Sequence, residues 1–404
     1  MERRRSGDAG AIDAAHVLFL CHTARPGGAE LALLRMVRRM APGRAEVVFG
    51  EDGPMVDAFG RAGLLATLIP GLGRGRGVRG LGPGAALRGA ADLLLYGWRV
   101  ARWAQGRGVD VVVARSVKSL IYGAVVARRL RVPLVWSVHD RIAADYLGAP
   151  AALVVRALGA LLADAYIVNS RATRATIWAG RKPALVAPPA LDPQLAGPVV
   201  GLVSDSIRRV VMVGRLSPWK GQHVFLEAFG RVFGGTDVEA VVVGGALFGE
   251  HEYEDELHRT VLAGPGAAQI RFTGHVEDVR PHVEGAQVLV HASVVPEPFG
   301  LVVSEGMAAG CAVVATTPGG PAEVITDGID GLLVPCGDVE ALVGALDRLR
   351  TDESLLRSLR RAAPETIRRY DVDVLVSVLE PWLADVAGRS APSGTTSAWP
   401  DDDH

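Results

Sequence analysis

The sequence predicts an α/β protein with two domains, each a parallel β-sheet covered by helices. Three observations support this prediction. The chain has 404 residues, more than one ordinary hydrophobic core needs. In both halves, short apolar runs rich in β-branched residues alternate with segments of helical periodicity. A Pro/Gly-rich stretch, APPALDPQLAGPVVG at residues 187–201, separates the halves.

In the first half, five apolar runs predict buried strands, with longer helical segments between them. The strands are HVLFL, AEVVF, DVVVA, PLVWSV and AYIVNS, and the helical segments include ELALLRMVRRM and VKSLIYGAVVARRL. We expect these elements to form an N-terminal domain at residues 14–195, preceded by disordered residues 1–12.

In the second half, six further runs predict strands and four segments predict helices. The strands are RRVVMVG, EAVVVGG, IRFTGH, QVLVHAS, CAVVAT and GLLVP, and the helices are GQHVFLEAFGRVF, EDELHRTVL, GLVVSEGMAAG and DVEALVGALDRLR. We expect a C-terminal domain at residues 202–370. A helix at 371–388 is expected to cross back to the N-terminal domain, and residues 389–404 to be disordered.

Two open parallel sheets that face each other leave a crevice at the carboxyl ends of their strands, where ligands bind. The unusual polar clusters of this chain all fall at predicted strand ends. The sequence therefore predicts a ligand site in a deep cleft between the two domains.

The formal net charge of −1 conceals a difference between the halves. Residues 1–200 carry 27 Lys and Arg and 14 Asp and Glu, whereas residues 201–404 carry 16 and 30. A basic first domain suggests an anionic partner, such as a membrane surface or a phosphorylated substrate. Mutual attraction of the two domains is the alternative reading.

Cysteine usage and hydropathy bear on the cellular location. Cys21, Cys311 and Cys336 lie far apart, without the spacing of a disulfide framework or a metal site, as fits a reducing cytoplasm. The first residues are charged but lack the apolar core of a signal peptide. No run of about 18 uncharged apolar residues is present. We expect a cytoplasmic protein, with peripheral contact to the inner face of the membrane left open.

The segment GRLSPWKG places two cations between a strand and a helix. The strand ends at Gly214, and Arg215 and Lys220 precede the helix. A helix N-terminus flanked by Arg and Lys favours a diphosphate, because the amides and both cations face negative charge. An exposed loop with two solvated cations is the alternative.

The segment VVPEPFGLVVSEG places two carboxylates across a strand-to-helix turn. Pro296 and Pro298 exclude a helix before Phe299, so Glu297 lies in a stiff loop, while Glu305 lies in the first turns of the next helix. Amides without intrahelical acceptors can bind phosphate oxygens at this helix start. They belong to Phe299, Gly300 and Leu301.

These two carboxylates suggest the two ends of an elongated ligand. One could accept hydrogen bonds from sugar hydroxyls and the other from a ribose, each bond contributing about 1.5–3 kcal/mol. Alternatively, Glu305 is only a helix-start acid and Glu297 only a loop residue. A hydrolase that uses a pair of carboxylates is a third reading, but it would need both acids to flank one scissile bond.

An Arg/Gly-rich stretch, PGLGRGRGVRGLGPG at residues 70–84, precedes a predicted helix. Seven arginines fall between residues 74 and 107 against one acid, Asp92. Together with Trp98 and Trp103, they could bind anionic lipid or a phosphorylated acceptor. A solvated acceptor loop followed by an ordinary amphipathic helix is the alternative.

GRLSPWKG and EPFGLVVSEGMAAGCAVVATTPGGPAEVITDGIDGLLV together resemble the donor-binding region of the retaining glycosyltransferases of family 4, which have the GT-B fold. Glu297 and Glu305 match the family's Glu-x7-Glu motif. In the first half, HTARPGGAELALL is similar to its glycine-rich loop and WSVHD to its strand-end histidine. The resemblance is strong in residues 210–335 and weaker in residues 40–130, where acceptors bind.

The resemblance implies a GT-B architecture of two Rossmann-like domains and a role for each matched residue. Arg215 and Lys220 would neutralise the diphosphate of a nucleotide-sugar donor. Glu297 would hold the hydroxyls of the transferred sugar and Glu305 the ribose. His139 would point into the cleft near the donor sugar and the acceptor.

The implied site therefore contains four catalytic and twelve donor-binding residues. The catalytic residues are His139, Glu297, Arg215 and Lys220. The donor-binding residues are Gly27, Gly28, Gly214, Arg215, Lys220, Val276, Glu297, Phe299, Gly300, Leu301, Val302 and Glu305. Because no Asp-x-Asp stands at a predicted strand end, we expect neither a metal nor a cofactor.

We therefore predict a retaining hexosyltransferase. The sugar, of the glucose, N-acetylglucosamine or mannose class, would pass from a nucleoside diphosphate, UDP first and GDP second, to an acceptor hydroxyl. The acceptor could be a small molecule, lipid-linked or a cell-wall precursor; no nucleic-acid-binding module is present. The alternatives are a GT-B epimerase or phosphorylase and a non-catalytic nucleotide-sugar-binding protein. A dehydrogenase would need Gly-x-Gly-x-x-Gly directly after a strand, which neither glycine-containing loop supplies.

Overall fold

The structure is a computed structural model of the chain. It describes residues 15–72, 83–191, 206–246, 249–264 and 266–388. The termini predicted to be disordered lie outside these residues. So do the centre of the Arg/Gly-rich stretch and much of the Pro/Gly-rich linker.

The described chain divides into two compact units. The first unit contains the described parts of residues 15–169, 177–187 and 373–388. The second unit contains the described parts of 170–176 and 188–372. Each unit has its own parallel sheet and its own hydrophobic core.

The sheet of the first unit has seven parallel strands in the order β3-β2-β1-β4-β5-β6-β7. They are β1 Val17–Cys21, β2 Ala45–Phe49, β3 Leu65–Leu68, β4 Val111–Ala114, β5 Leu134–Val138, β6 Ala165–Val168 and β7 Ala184–Val186. The five predicted strands are present, whereas β3 and β7 were not predicted. Both are short, and β3 is partly exposed, so neither stands out as a buried apolar run.

Helices cover this sheet and explain why its central strands are apolar throughout. They are α1 Gly28–Val37, α2 Pro54–Arg61, α3 Pro83–Ala104, α4 Val117–Leu130, α5 Ala144–Leu147 and α6 Ala149–Leu162. Trp136, Tyr96, Tyr122 and Tyr166 are the largest buried side chains of this core.

The sheet of the second unit has six parallel strands in the order β10-β9-β8-β11-β12-β13, and all six were predicted. They are β8 Arg209–Val213, β9 Glu239–Val243, β10 Ile270–Phe272, β11 Val288–His291, β12 Ala312–Thr317 and β13 Leu332–Pro335. The helices of this unit are α7 Arg171–Arg174, α8 Gln222–Phe233, α9 His251–Ala263, α10 Arg280–Val283, α11 Leu301–Ala308, α12 Pro321–Val324, α13 Val339–Thr351 and α14 Glu353–Ile367.

Two segments belong to a different unit from the residues next to them in the chain. Helix α15, Val372–Gly388, belongs almost entirely to the first unit, where the Glu380 carboxylate accepts a hydrogen bond from the Ala41 amide at 2.7 Å. Residues 170–176 belong to the second unit, ahead of the expected boundary, because Ser170 Oγ donates to the Pro298 carbonyl at 2.5 Å. Within the described ranges, no helix combines the length and apolarity needed to cross a bilayer.

Candidate active site

The second unit contains an ion pair between a buried carboxylate and a partly exposed ammonium group, at the carboxyl ends of its strands. Lys220 Nζ lies 2.8 Å from both carboxylate oxygens of Glu297. The side chains are 18% and 10% exposed. Lys220 Nζ also lies 4.2 Å from the centre of the Trp219 ring. The structure thus joins two predicted site residues that are 77 positions apart in the chain.

Three buried side chains that were not predicted extend this pair into a network. Ser293 Oγ donates to Glu297 Oε2 at 2.9 Å and lies 3.1 Å from His291 Nε2. His291 Nε2 is 3.4 Å from Glu297 Oε2, and its Nδ1 is 3.2 Å from Thr316 Oγ1. Thr316 can donate to Nδ1 if the proton of His291 is on Nε2, the nitrogen facing Glu297.

The network keeps the Glu297 carboxyl ionised. Burial alone would raise the pKa of this group, but the charge of Lys220 and the hydrogen bonds from His291 and Lys220 outweigh burial. The pKa of Glu297 is therefore held well below its ordinary value. Oε2 accepts from Lys220 and Ser293, whereas Oε1 has Lys220 as its one partner among the described residues. Oε1 can thus accept a further hydrogen bond from a ligand hydroxyl.

Two glycines allow the loops of the site to pack against one another. Gly221, with φ of 75°, follows Lys220, and a Cβ there would overlap the Ala292 carbonyl. Gly320 N donates to Glu297 O at 2.9 Å, and a Cβ on Gly320 would overlap Phe299. Close backbone contact therefore fixes both charged residues of the pair.

Helix α11 starts directly after this loop, as the sequence predicts. Gly300 is its N-cap, and Val303 N donates to Gly300 O at 2.9 Å. The amides of Leu301 and Val302 have no acceptor in the described parts of the chain, so they remain available to an anion. Glu305 is half-buried on the second turn of the same helix.

Arg215 has a different partner from Lys220. Its Nε lies 3.7 Å from Glu250 Oε2, and both side chains are partly exposed. Gly214, just before it, lies against Gly244 at the end of β9, where a Cβ would overlap the Gly214 carbonyl. Gly244 N in turn donates to Gly274 O at 3.0 Å, two residues before Val276. The predicted residues Gly214 and Val276 thus lie on adjacent strand-end loops.

In the first unit, His139 follows β5 at the same kind of strand end. His139 Nε2 lies 3.0 Å from Ser137 Oγ, and its carbonyl accepts a hydrogen bond from Asn169 Nδ2 at 2.9 Å. Burial, followed by the charge of Arg115, lowers the pKa of His139 well below 6.5. The imidazole is therefore neutral at pH 7.

Two polar groups that were not predicted lie at this edge of the first unit. Arg115 Nη2 donates to the carbonyl of Ala29 at 2.6 Å, whereas its buried Nε has no hydrogen-bond partner among the described residues. Asn169 Oδ1 is likewise buried without a partner there. Gly27 is the N-cap of α1 and Gly28 its first residue, so the two predicted glycines lie where the loop after β1 meets α1.

Residues of metal-binding type are dispersed in the described part of the chain. No group of three or more His, Cys, Asp or Glu side chains there is arranged to hold a metal ion. None of the three cysteines, all of which are described, forms a disulfide, and Cys21 and Cys311 are buried. Burial raises the pKa of both buried thiols to about 12, so they are protonated at neutral pH.

Two family models match the chain, one in each half. The model described as Glycosyltransferase Family 4 matches residues 26–195. The model described as Glycosyl transferases group 1 matches residues 203–366. Together they cover more than four fifths of the chain.

Curated relatives are similar over part of their length. A lipopolysaccharide core biosynthesis glycosyltransferase, LpsE, from Rhizobium meliloti is 34% identical over 158 residues, which are 39% of this chain and 44% of the relative. A phosphatidyl-myo-inositol mannosyltransferase from Mycobacterium leprae is 36% identical over 190 residues, 46% of this chain and 47% of the relative. The alignments thus span less than half the length of these two curated relatives.

Solved structures match over nearly the whole chain. HepE from Anabaena in complex with UDP is 26% identical, with a TM-score of 0.77, and the match covers 91% of this chain and 99% of HepE. The same protein in complex with UDP-glucose gives a TM-score of 0.76. The two parallel-sheet units, the paired family models and these neighbours agree. The chain therefore belongs with the family-4-type glycosyltransferases of the GT-B fold.

Proposed function

We propose that this protein is a retaining, metal-independent hexosyltransferase that uses a nucleoside diphosphate-sugar, with UDP preferred and GDP second. The observation that carries this proposal is the Lys220–Glu297 pair. It places a cation and an ionised carboxylate in loops at the sheet edge, and the Glu297 loop leads directly into a helix start whose first amides have no acceptor among the described residues. These are the groups that a charged diphosphate linked to a hydroxyl-rich sugar requires.

Glu297 would hold the transferred sugar through Oε1. Oε2 accepts from Lys220 and Ser293, whereas Oε1 accepts from Lys220 and retains acceptor capacity for a sugar hydroxyl. His291 and Ser293 fix the orientation of the carboxylate, so the sugar binds without rearranging the site.

Lys220 would stabilise the leaving diphosphate. Two of its three N–H groups point to Glu297, and the third can reach a phosphate oxygen. As the bond from sugar to phosphate breaks, negative charge grows on the diphosphate and positive charge on the sugar. Lys220 and the amides of Leu301 and Val302 would stabilise the negative charge on the diphosphate. Glu297 would stabilise the positive charge on the sugar. A fixed donor of this kind contributes about 2.7–4 kcal/mol to the transition state.

The remaining predicted residues would bind the nucleotide and the acceptor. Glu305 would accept from the ribose, and the loop containing Val276 would meet the base through backbone groups. The UDP complexes of HepE support UDP as the first choice. Arg215 would approach the diphosphate by exchanging its contact with Glu250. His139, neutral at pH 7, would lie beside the sugar and the acceptor hydroxyl.

The proposal is tested by the fate of the donor. Full-length protein is incubated in EDTA with UDP-glucose, UDP-N-acetylglucosamine or GDP-mannose, without an added acceptor. Slow release of free sugar and nucleoside diphosphate is expected from one donor, since water can replace the acceptor. The first sugar anomer seen by NMR should have the configuration of the donor. Lys220→Met is the matched inactive control.

Other outcomes would identify the alternatives. Conversion of the sugar to its epimer, without release of nucleotide, would indicate an epimerase. Release only in the presence of inorganic phosphate would indicate a phosphorylase. Tight nucleotide-sugar binding with no product from any donor or acceptor pool would indicate a non-catalytic binding protein. Activity only with added metal would contradict metal independence.

A further inference from the structure

The outer surface of one helical layer in the first unit is unusually apolar. Helices α3, α4 and α6 pack side by side, and we call their solvent-exposed side the α3–α4–α6 face. Of the ten exposed large hydrophobic residues in the described chain, six lie on α3 and α6. They are Leu94, Leu95, Trp98, Leu153, Val154 and Leu161.

Helix α6 shows this most clearly. Leu161 is 74% exposed, and Leu153 and Val154 are each 56% exposed. A surface helix ordinarily puts polar residues on its outer side. Arg156 is the one charged residue of α6, and its Nε donates to the carbonyl of Ile142 at 2.8 Å. The outer side of α6 is therefore apolar over most of its length.

The three helices that form this face are strongly cationic. The three helices contain one acid, Asp92, on α3. They contain seven basic residues, namely Arg88, Arg99, Arg102, Lys118, Arg128, Arg129 and Arg156. A face with a large excess of cations attracts an anionic surface.

Aromatic rings and guanidinium groups are paired on this face. The guanidinium carbons of Arg102 and Arg129 lie 4.9 and 5.2 Å from the centre of the Trp98 ring. Beside α6, Trp178 is 48% exposed, and Arg156 lies 6.0 Å from its ring centre. Tryptophan with arginine, next to exposed leucines, is the composition of surfaces that lie in a membrane interface.

A second copy of the chain is a poorer occupant. In a symmetric dimer the same face would meet itself, so its cations would approach their own copies. A lipid surface with anionic headgroups neutralises the arginines and also accepts the apolar side chains.

We propose that the α3–α4–α6 face docks peripherally on an anionic lipid surface. The leucines, Val154 and the tryptophans enter the boundary between headgroups and acyl chains, and the arginines bind phosphate groups. This extends the expectation drawn from the Arg-rich stretch, and it moves much of the apolar contact to α6. The proposal does not depend on the proposed glycosyl transfer, because lipid binding needs no donor.

The test is cosedimentation of the full chain with vesicles of phosphatidylcholine, alone or mixed with phosphatidylglycerol. An apolar variant carries Leu153→Ser, Val154→Ser and Leu161→Ser. A charge variant carries Arg128→Gln and Arg129→Gln. The control variant carries Leu65→Ser and Ile329→Ser, which are 51% and 61% exposed and lie off this face. Far-UV circular dichroism and unfolding by urea check that each variant is folded.

The wild type is expected to bind the mixed vesicles and not phosphatidylcholine alone, with weaker binding at high salt. The charge variant should lose about 25-fold in partitioning, at about fivefold per arginine. The apolar variant should lose about tenfold or more. The control variant should bind as the wild type does.

Three results would overturn the proposal. The first is no binding to either vesicle. The second is a loss of vesicle binding in the control variant as large as the loss in the apolar and charge variants. The third is a wild-type dimer by light scattering that the apolar variant converts to a monomer, since a second copy would then cover the face.

Discussion

The polar groups around Glu297 in the second unit and those around His139 in the first differ in how completely they are paired. At the edge of the second unit, Glu297 accepts hydrogen bonds from Lys220 and Ser293, and His291 is held by Thr316. Outside the Glu297 network, Glu250 Oε2 of the second unit is also buried without a hydrogen-bond partner among the described residues. At the edge of the first unit, Arg115 Nε and Asn169 Oδ1 are buried without a partner among the described residues.

We propose that this difference reflects two kinds of binding surface. The second unit presents a charge arrangement that is already formed, as a site for a constant ligand requires. The first unit retains polar atoms whose hydrogen bonds a ligand can complete. We therefore expect substitutions at the strand-end edge of the second unit to reduce activity and stability most. The following predictions run from the largest effect to the smallest.

Replacement of Lys220 should have the largest effect. Lys220→Met removes the cation that meets the leaving diphosphate, so kcat/KM should fall by about 100-fold or more. Arg348→Met, an exposed cation on α13 in the same unit, should keep wild-type activity. Donor turnover by chromatography measures both variants.

A double variant separates catalysis from stability. Lys220→Met alone leaves a buried carboxylate without its cation, which should lower the free energy of unfolding in urea. Lys220→Met with Glu297→Gln should recover much of that stability and none of the activity. Recovered activity in the double variant would show that Lys220 acts only as a structural partner of Glu297.

Loss of Glu305 should mainly weaken nucleotide binding. Glu305→Ala removes the acceptor proposed for the ribose, so the Kd for UDP should rise by about 10- to 100-fold. Glu227→Ala, an exposed acid on α8, is the matched control. Calorimetric titration with UDP measures both. An unchanged Kd for Glu305→Ala would remove this residue from the site.

The acid sensitivity of folding should depend on Glu297. Because its folded-state pKa is lowered from 4.5, the ionised carboxylate contributes stability above the unfolded-state pKa, and this is lost as pH falls. The free energy of unfolding should therefore decline more steeply below about pH 5 in the wild type than in Glu297→Gln. Urea unfolding at several pH values measures the two slopes, and equal slopes would contradict the buried ion pair.

A matched pair of serine variants compares the two edges directly. Ser293→Ala removes a hydrogen bond to an ionised carboxylate and should lower the free energy of unfolding by about 1.5–3 kcal/mol. Ser137→Ala removes a contact with the neutral His139 and should lower it by about 1 kcal/mol. Both serines are buried, so exposure does not explain a difference. Equal losses of unfolding free energy in the two variants, measured in urea, would contradict the proposed difference between the two edges.

The smallest effect concerns the pH dependence of turnover. The pKa of His139 lies well below 6.5, so protonation of this residue should produce no inflection near pH 6.5. The ratio of wild-type to His139→Gln turnover should be constant between pH 6 and 8. A ratio that changes through pH 6.5 would show that His139 titrates in its ordinary range.

The fold was largely predictable because parallel strands covered on both faces are continuous apolar runs. Five of the six strands of the second unit have this form, whereas β10 is a short edge strand with Arg271 exposed at its centre. Strands β3 and β7 lack it, because β3 is partly exposed and β7 has three residues. Their place in the sheet depends on pairing with β2 and β6, and the local sequence of β3 and β7 does not reveal that pairing.

The site was predictable where local chemistry is distinctive. Lys220 and Glu297 lie in Pro/Gly-containing loops between a strand and a helix. Charged residues at such positions indicate a ligand site from the sequence alone. His291 ends an apolar strand, and its partner Thr316 lies on β12, whose pairing with β11 brings them together. The pairing of Arg215 with Glu250 also depends on tertiary structure, because a local sequence pattern does not relate them.

The most direct test of the proposed donor site is thermal stabilisation by UDP, GDP, ADP, dTDP and NAD in EDTA, with Lys220→Met in parallel. We predict stabilisation of the wild type by one nucleoside diphosphate, UDP first. At a ligand concentration of 100 times Kd it amounts to about 2.7 kcal/mol. Lys220→Met should respond much less. Stabilisation by NAD alone, by nothing until metal is added, or equally in Lys220→Met would contradict a metal-free diphosphate site at Lys220.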